Sequence, residues 1–232
     1  MRYYILSNGL CQFASNRWFF GLPVTTILLT IVQVTLFYTS PELVARWSIH
    51  VPPTPGEPLH LLSYILIHFD AIHLYSNMFV QIIVGTVLEV FHGPIRVAII
   101  YTTAGFVGGA AEAVLTTKSP LRIAGASGAI YGLLGAFGAD LVFNWNERRF
   151  PLLWLLLFVA YFAFDIAYMD TNGAIALWAH YMGALSGLLY ALAVARNIRI
   201  ECYEPILRLT AIIIDIVLLA TILIYVGITW SP

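Results

Sequence analysis

Four residues of the 232-residue chain have types and spacings suited to acyl transfer: His73, Asn77, Ser127 and His180. Ser127 stands in Gly125-Ala126-Ser127-Gly128, where an apolar run begins. The first N–H groups of a helix have no intrahelical partner. Gly125, Ala126 and Ser127 would therefore offer backbone donors to a developing oxyanion, and the glycines would let another backbone come close. The same run would also serve as plain small-residue packing between membrane helices. His180, in Ala179-His180-Tyr181-Met182-Gly183, adds what a serine needs. A hydroxyl is a weak nucleophile until a base takes its proton, and histidine is the usual base. Gly183 and Gly187 follow His180 at one and two turns, while Gly128, Gly132 and Gly135 follow Ser127. Two such stripes would let the helices touch. Tyr131, one turn after Ser127, would pack beneath the imidazole. His73 and Asn77, four residues apart, share a helix face; they could donate to an oxyanion, or simply tie helices together. His68 reads as structural, holding the preceding loop through hydrogen bonds. His50, His60 and His92 carry no readable chemistry.

The elements that must position these residues are membrane helices. The chain is 60% hydrophobic and only 10% charged, against roughly 25% charged in a soluble domain. A net charge of -1 and the absence of any basic run exclude a nucleic-acid partner. Cys11 and Cys202 make neither a disulfide framework nor a metal set, and no cofactor is implied. Seven apolar runs approach the length a bilayer core requires, at 22–39, 72–91, 96–115, 124–144, 150–168, 175–195 and 207–230. With no water to satisfy backbone groups in lipid, they should be helices. The expected organisation is a short cytoplasmic N-terminal segment, 1–21, and a six-helix core, 22–195. A cytoplasmic linker, 196–206, and an additional transmembrane helix, 207–230, complete it. Within the core, a long first loop at 40–71 carries five prolines among many apolar residues, and should lie in or dip into the membrane interface.

Basic residues set the orientation. With the N-terminus in the cytoplasm, Arg2, Arg17, Arg96, Arg148, Arg149, Arg196, Arg199 and Arg208 lie inside. Arg46, Lys118 and Arg122 lie outside, which accounts for all 11. His73, Asn77, Ser127 and His180 then fall at similar depth near the outer face, with the C-terminus also outside. Polar residues in membrane helices face the bundle interior or a water-filled cavity.

His73-Leu74-Tyr75-Ser76-Asn77, Gly125-Ala126-Ser127-Gly128 and Ala179-His180-Tyr181-Met182-Gly183 resemble the H-x-x-x-N, G-x-S-G and A-H-x-x-G motifs of rhomboid intramembrane serine proteases. The seventh span is similar to the "6+1" arrangement of animal secretase-type members. The resemblance implies an all-α polytopic fold, a Ser127–His180 dyad, and an oxyanion site from His73, Asn77 and the Ser127 backbone. It also implies cleavage of single-span membrane proteins within the bilayer. Leu59-His60 stands where many members have Trp-Arg, and Phe91 where an arginine often follows the acidic position, here Glu89. The lesions usual in inactive relatives, a lost serine or a proline in Gly-x-Ser-Gly, are absent.

The competing readings are less well supported. No His-Glu-x-x-His run exists for a metalloprotease. Asp140 and Asp165 belong to opposite ends of their spans, so they do not make an aspartyl pair. Asp215 is expected to bond a neighbouring helix. A transporter would predict an internal repeat, and none is evident. A non-catalytic rhomboid-like protein that binds or dislocates membrane clients shares the fold but has no need of the four polar residues. Cys11 and Cys202 are separated by six spans and should share one side of the membrane. An impermeant maleimide applied to sealed right-side-out vesicles should label neither cysteine until the membrane is opened. Labelling of just one would break the count of spans.

Overall fold

The computed structural model describes residues 4–7, 10–14, 21–51, 58–116, 121–172, 176–194, 199–200 and 204–229. Arg2, Arg17, Lys118, Arg196 and Cys202 lie outside them. A helix occupies each of the seven apolar runs: α1 (Val24–Thr39), α4 (Ala71–His92), α5 (Pro94–Leu115), α6 (Ser127–Phe143), α7 (Pro151–Asn172), α8 (Leu177–Val194) and α9 (Glu204–Thr229). Two short helices, α2 (Leu43–Trp47) and α3 (His60–Ser63), lie in the first loop. The chain is an all-α polytopic membrane protein. Helices α4, α5, α8 and α9 are long and apolar enough to cross a bilayer by themselves. α1, α6 and residues 151–163 of α7 are apolar but shorter. Most of α6 is buried, from Gly128 to Leu141, so over that stretch it packs against protein rather than lipid.

α6 is the centre, and its most extensive contact is with α8. A Cβ added to Gly183 would land on the carbonyl oxygen of Gly128, and one added to Gly187 on that of Gly132. On the other side of α6, a Cβ on Gly132 would collide with the Cβ of Ala104 in α5. Ile130, Leu133, Tyr101 and Ile100 fill the space between, all essentially inaccessible. α7 is held more loosely, through aromatic contacts such as Phe137–Trp154 at 5.7 Å and Tyr131–Phe162 at 5.4 Å. An apolar cavity of about 700 Å³ remains beside it, lined by Gly138, Val142, Phe158 and Leu188 among others.

Buried carboxylates serve where helices begin or end. Glu89, wholly buried near the end of α4, accepts from Thr25 N at 2.7 Å and Thr26 N at 2.9 Å, capping α1. Pro23 before that helix offers no side-chain cap of its own. At the far end of α6, Asp140 pairs with Arg148, with His92 Nε2 at 3.1 Å and with Asn144 Nδ2 at 2.9 Å. The guanidinium of Arg148 also lies 4.0 Å over the ring of Phe91. The resemblance led to an arginine at that position; here the charge arrives from the α6–α7 connection.

The described parts of the first loop carry regular structure. Strand β3 (Ile49–Val51) pairs antiparallel with β4 (Leu121–Ile123), with Ile49 opposite Ile123. Residues 58–70 bury Leu61, Tyr64 and Ile65 and leave Leu59, Leu62 and Phe69 bare. Such an apolar outer surface fits the expected interfacial position. Strands β1 (Tyr4–Ser7) and β2 (Leu10–Ala14) form a sheet with β5 (Arg199–Ile200), in which Phe13 faces Ile200. The N-terminal segment thus lies beside the α8–α9 connection. α9 starts at Glu204 rather than at 207, because Glu204 and Arg208 form an i, i+4 ion pair at 3.2 Å in its first turn. The bond expected from Asp215 to a neighbouring helix is not formed among the described residues. α9 is the least enclosed span, only 17% of its apolar window being buried, and Asp215 is only half covered.

Replacing Gly187 with alanine should force α6 and α8 apart. We expect a loss of about 1–3 kcal/mol in stability, as for other overpacked cores. Gly227→Ala, whose added Cβ would meet no atom within 4 Å, should be neutral. Thermal unfolding of the two variants in detergent would check this, and equal melting temperatures would refute it.

Candidate active site

Ser127 opens α6, preceded by the strand β4 and by Gly125. Gly125 has φ +130°, a region that favours glycine. The loop fixes this turn from below. Gly125 N donates to Tyr64 O at 3.0 Å, while the Tyr64 hydroxyl donates to Gly105 O at 2.6 Å. Ala126 N points at His68 Nε2 at 3.4 Å. Tyr64 is fully buried, and burial raises its phenol pKa well above the ordinary value, so it stays a donor.

His180 lies in the first turn of α8. Its Nε2 is 2.8 Å from Ser127 Oγ, within the distance a base needs to take a hydroxyl proton. The ring of Tyr131 stacks on the imidazole at 4.2 Å with an interplanar angle of 16°. Tyr131 is itself wedged by Phe162 and Tyr161 of α7. The imidazole therefore has one face against a fixed aromatic plane and its reactive nitrogen on the serine.

His73 stands in the first turn of α4, where its N–H is held by Asp70 Oδ1 at 2.8 Å. Its ring lies so close over Gly125 that an added Cβ would come within 2.7 Å of Nε2. Asn77 follows one turn later and is buried, and its Nδ2 has no hydrogen-bond partner among the described residues. A buried amide donor left unpaired is costly, so one that persists is available to something that binds there. Gly125, Ala126, Ser127, Tyr131, His73 and His180 thus gather around one end of α6, and Asn77 lies one turn along α4 from His73.

Residues 55–197 match the family model for the rhomboid domain. The chain belongs to the rhomboid family. Rhomboid-related protein 1 of Caenorhabditis elegans is 28% identical over 240 aligned positions, covering 88% of this chain and 64% of that protein. RHOMBOID-like protein 6, mitochondrial, of Arabidopsis thaliana is 36% identical over 132 positions, 57% of this chain and 42% of that protein. Rhomboid-related protein 2 of Mus musculus is 27% identical over 150 positions, 60% of this chain and 49% of that protein. The chain thus spans less than two thirds of these relatives. The rhomboid match contains every residue of the site, and it ends before α9.

Two contributors to the site were not singled out from sequence. Tyr64 belongs to no motif that would mark it, and its role depends on a loop folding back. Glu112 looks like a lone acid near a span end, yet it accepts from α8 (Trp178 N at 2.7 Å). His68 was expected to hold its loop through hydrogen bonds; the bond it accepts comes from Ala126 N, the residue before Ser127.

His68 also sets a pH dependence. Burial, then the neighbouring His73, lowers its pKa from 6.5 to about 3, against a smaller opposing effect of Asp70. The unfolded chain, with an ordinary histidine, binds more protons between those values, so stability falls as pH drops from 6.5 toward 3. His68→Gln keeps an acceptor but does not titrate. The variant should lose less melting temperature than wild type between pH 7 and about 4; identical pH profiles would remove His68 from this account.

Proposed function

We propose that this rhomboid is an intramembrane serine endopeptidase cleaving single-span membrane proteins in or near their transmembrane segment. The observation that carries the reading is the 2.8 Å contact between Ser127 Oγ and His180 Nε2. Residues 22–195 would be the catalytic core and α9 an additional helix. The N-terminus lies in the cytoplasm, and the site opens toward the outer or lumenal side.

In the first step His180 Nε2 takes the hydroxyl proton as Ser127 Oγ bonds to the scissile carbonyl carbon. The carbonyl oxygen becomes an oxyanion, received by the Ser127 N–H, the Asn77 amide and His73. Each such donor is worth roughly 10²–10³ in rate. The C–N bond then breaks as His180 returns its proton to the leaving amine, and the acyl group stays on Ser127. Water next gives a proton to His180 and bonds to the acyl carbon. The ester breaks, the proton returns to Ser127 Oγ, and a free carboxylate leaves. Tyr131 orients the His180 ring from its flat side.

A peptide bond inside a helix is hydrogen-bonded and shielded by side chains, so a substrate must unwind before Ser127 can reach it. Glycine costs a helix about 1 kcal/mol relative to alanine and proline about 3. Substrates with such residues in the outer part of their span are therefore favoured.

A fluorophosphonate reagent should label the purified wild type. Ser127→Ala should take no label, and His180→Ala should fall by roughly 10³ or more, because the pair acts as a unit. Cleavage of a model single-span substrate should follow the same order, and chelators should leave it unchanged. Normal cleavage by Ser127→Ala would end this reading. Client capture by an unlabelled wild type would favour the non-catalytic alternative.

A further inference from the structure

α8 begins at Leu177, and the residue before it, Ala176, has no side chain with which to cap. Its first N–H groups would be left without partners in a water-poor interior. They are not. Oε2 of Glu112, near the end of α5, accepts from Trp178 N at 2.7 Å and Ala179 N at 3.2 Å. Glu112 is 1% exposed, and the positive end of the helix suits its charge.

A second contact acts on the same turn. One turn earlier on α5, a Cβ on Gly108 would sit 2.5 Å from the Ala179 carbonyl oxygen. On its other side Ala179 meets α6. A Cβ on Gly128, the residue after the nucleophile, would lie 3.4 Å from the Ala179 oxygen and 3.6 Å from its methyl. Ala179 is therefore clamped between α5 and the residue adjoining Ser127, and His180 is the next residue.

We infer that Glu112 is a positioning residue for His180, setting the first turn of α8 and through it the place of the imidazole against Ser127. The inference rests on the protease reading above. Helix ends fray unless tied, and the dyad contact tolerates little fraying. A displacement of about 1 Å in such a pair can cost on the order of 10²-fold in rate. Reach matters more than charge. Glutamine keeps an acceptor oxygen at the same distance, whereas aspartate keeps the charge but is one methylene short.

The test is the second-order rate constant for fluorophosphonate labelling, measured per folded molecule on monodisperse protein in detergent. Glu112→Ala and Glu112→Asp should fall at least about tenfold, and Glu112→Gln should stay within about threefold of wild type. Glu89→Ala is the matched control. It removes an equally buried cap from α1, so it should lower the melting temperature and leave the labelling rate unchanged. If Glu112→Ala does not fold, the Asp and Gln pair decides the matter. Wild-type rates in Glu112→Asp, or a loss in Glu112→Gln as deep as in Glu112→Asp, would overturn the positioning role while the wild type still labels. A wild type that takes no label would instead overturn the protease reading itself.

Discussion

The site depends first on the contact of one helix backbone with another. α6 and α8 meet where Gly183 faces the carbonyl of Gly128 and Gly187 that of Gly132, with no room for a side chain between them. In lipid there is little hydrophobic drive to press helices together, so close packing and interhelical polar contacts must do it. Backbones this near also bring Cα–H groups onto carbonyl oxygens, a weak but repeated attraction. Ser127 and His180 stand at the end of this seam, and their 2.8 Å separation is a consequence of it. Were the seam filled by methyl groups, the imidazole could not reach the hydroxyl without rebuilding both helices.

The second constraint is that a bilayer leaves no polar group free of cost. Each helix start and each loop that enters the protein must find its own partners. The chain meets this with a few long side chains acting across elements. Glu89 serves α1 and Glu112 serves α8, both from a neighbouring helix. Gln33 of α1 donates to Ile65 O at 2.9 Å and to Tyr101 OH at 2.7 Å, and Gln81 of α4 donates to Gln33 Oε1 at 3.0 Å. This network ties the first loop to three helices at once. The loop in turn holds the Gly125–Ala126 turn through Tyr64 and His68, so the serine inherits its position from residues some sixty places earlier.

The seven long helices were legible because hydropathy over a run of residues is a local property, and each helix falls where its run does. The polar residues that meet at the start of α6 were legible because serine, histidine and asparagine in apolar helices are conspicuous. What could not be read were partnerships across space. Glu112 sits in an apolar run with nothing beside it to indicate a helix sixty-odd residues later. The pairing of β3 with β4 joins two short, unremarked segments. The substitution of Phe91 for an expected arginine looked like a loss until the Arg148 guanidinium was seen over its ring, paired with Asp140. The start of α9 was missed by three residues for a similar reason. A hydropathy window is blind to the Glu204–Arg208 pair that extends the helix.

Exposure within the site is uneven, and the unevenness bears on what holds the imidazole in place. Ser127 and His73 are only partly covered, whereas His180 and Asn77 are buried. The face from which a carbonyl would approach is thus open, while the base is enclosed. A base in the open would need a fixed partner to hold its ring against free rotation. Here the enclosure itself holds the ring. Tyr131 lies flat beneath it, α7 backs Tyr131, and the first turn of α8 is clamped by Glu112, Gly108 and Gly128. Rotation of the imidazole would break its stacking and its contact with Ser127 together. Orientation, which a soluble triad takes from a carboxylate, can here come from packing, in a solvent where an extra buried charge would be expensive.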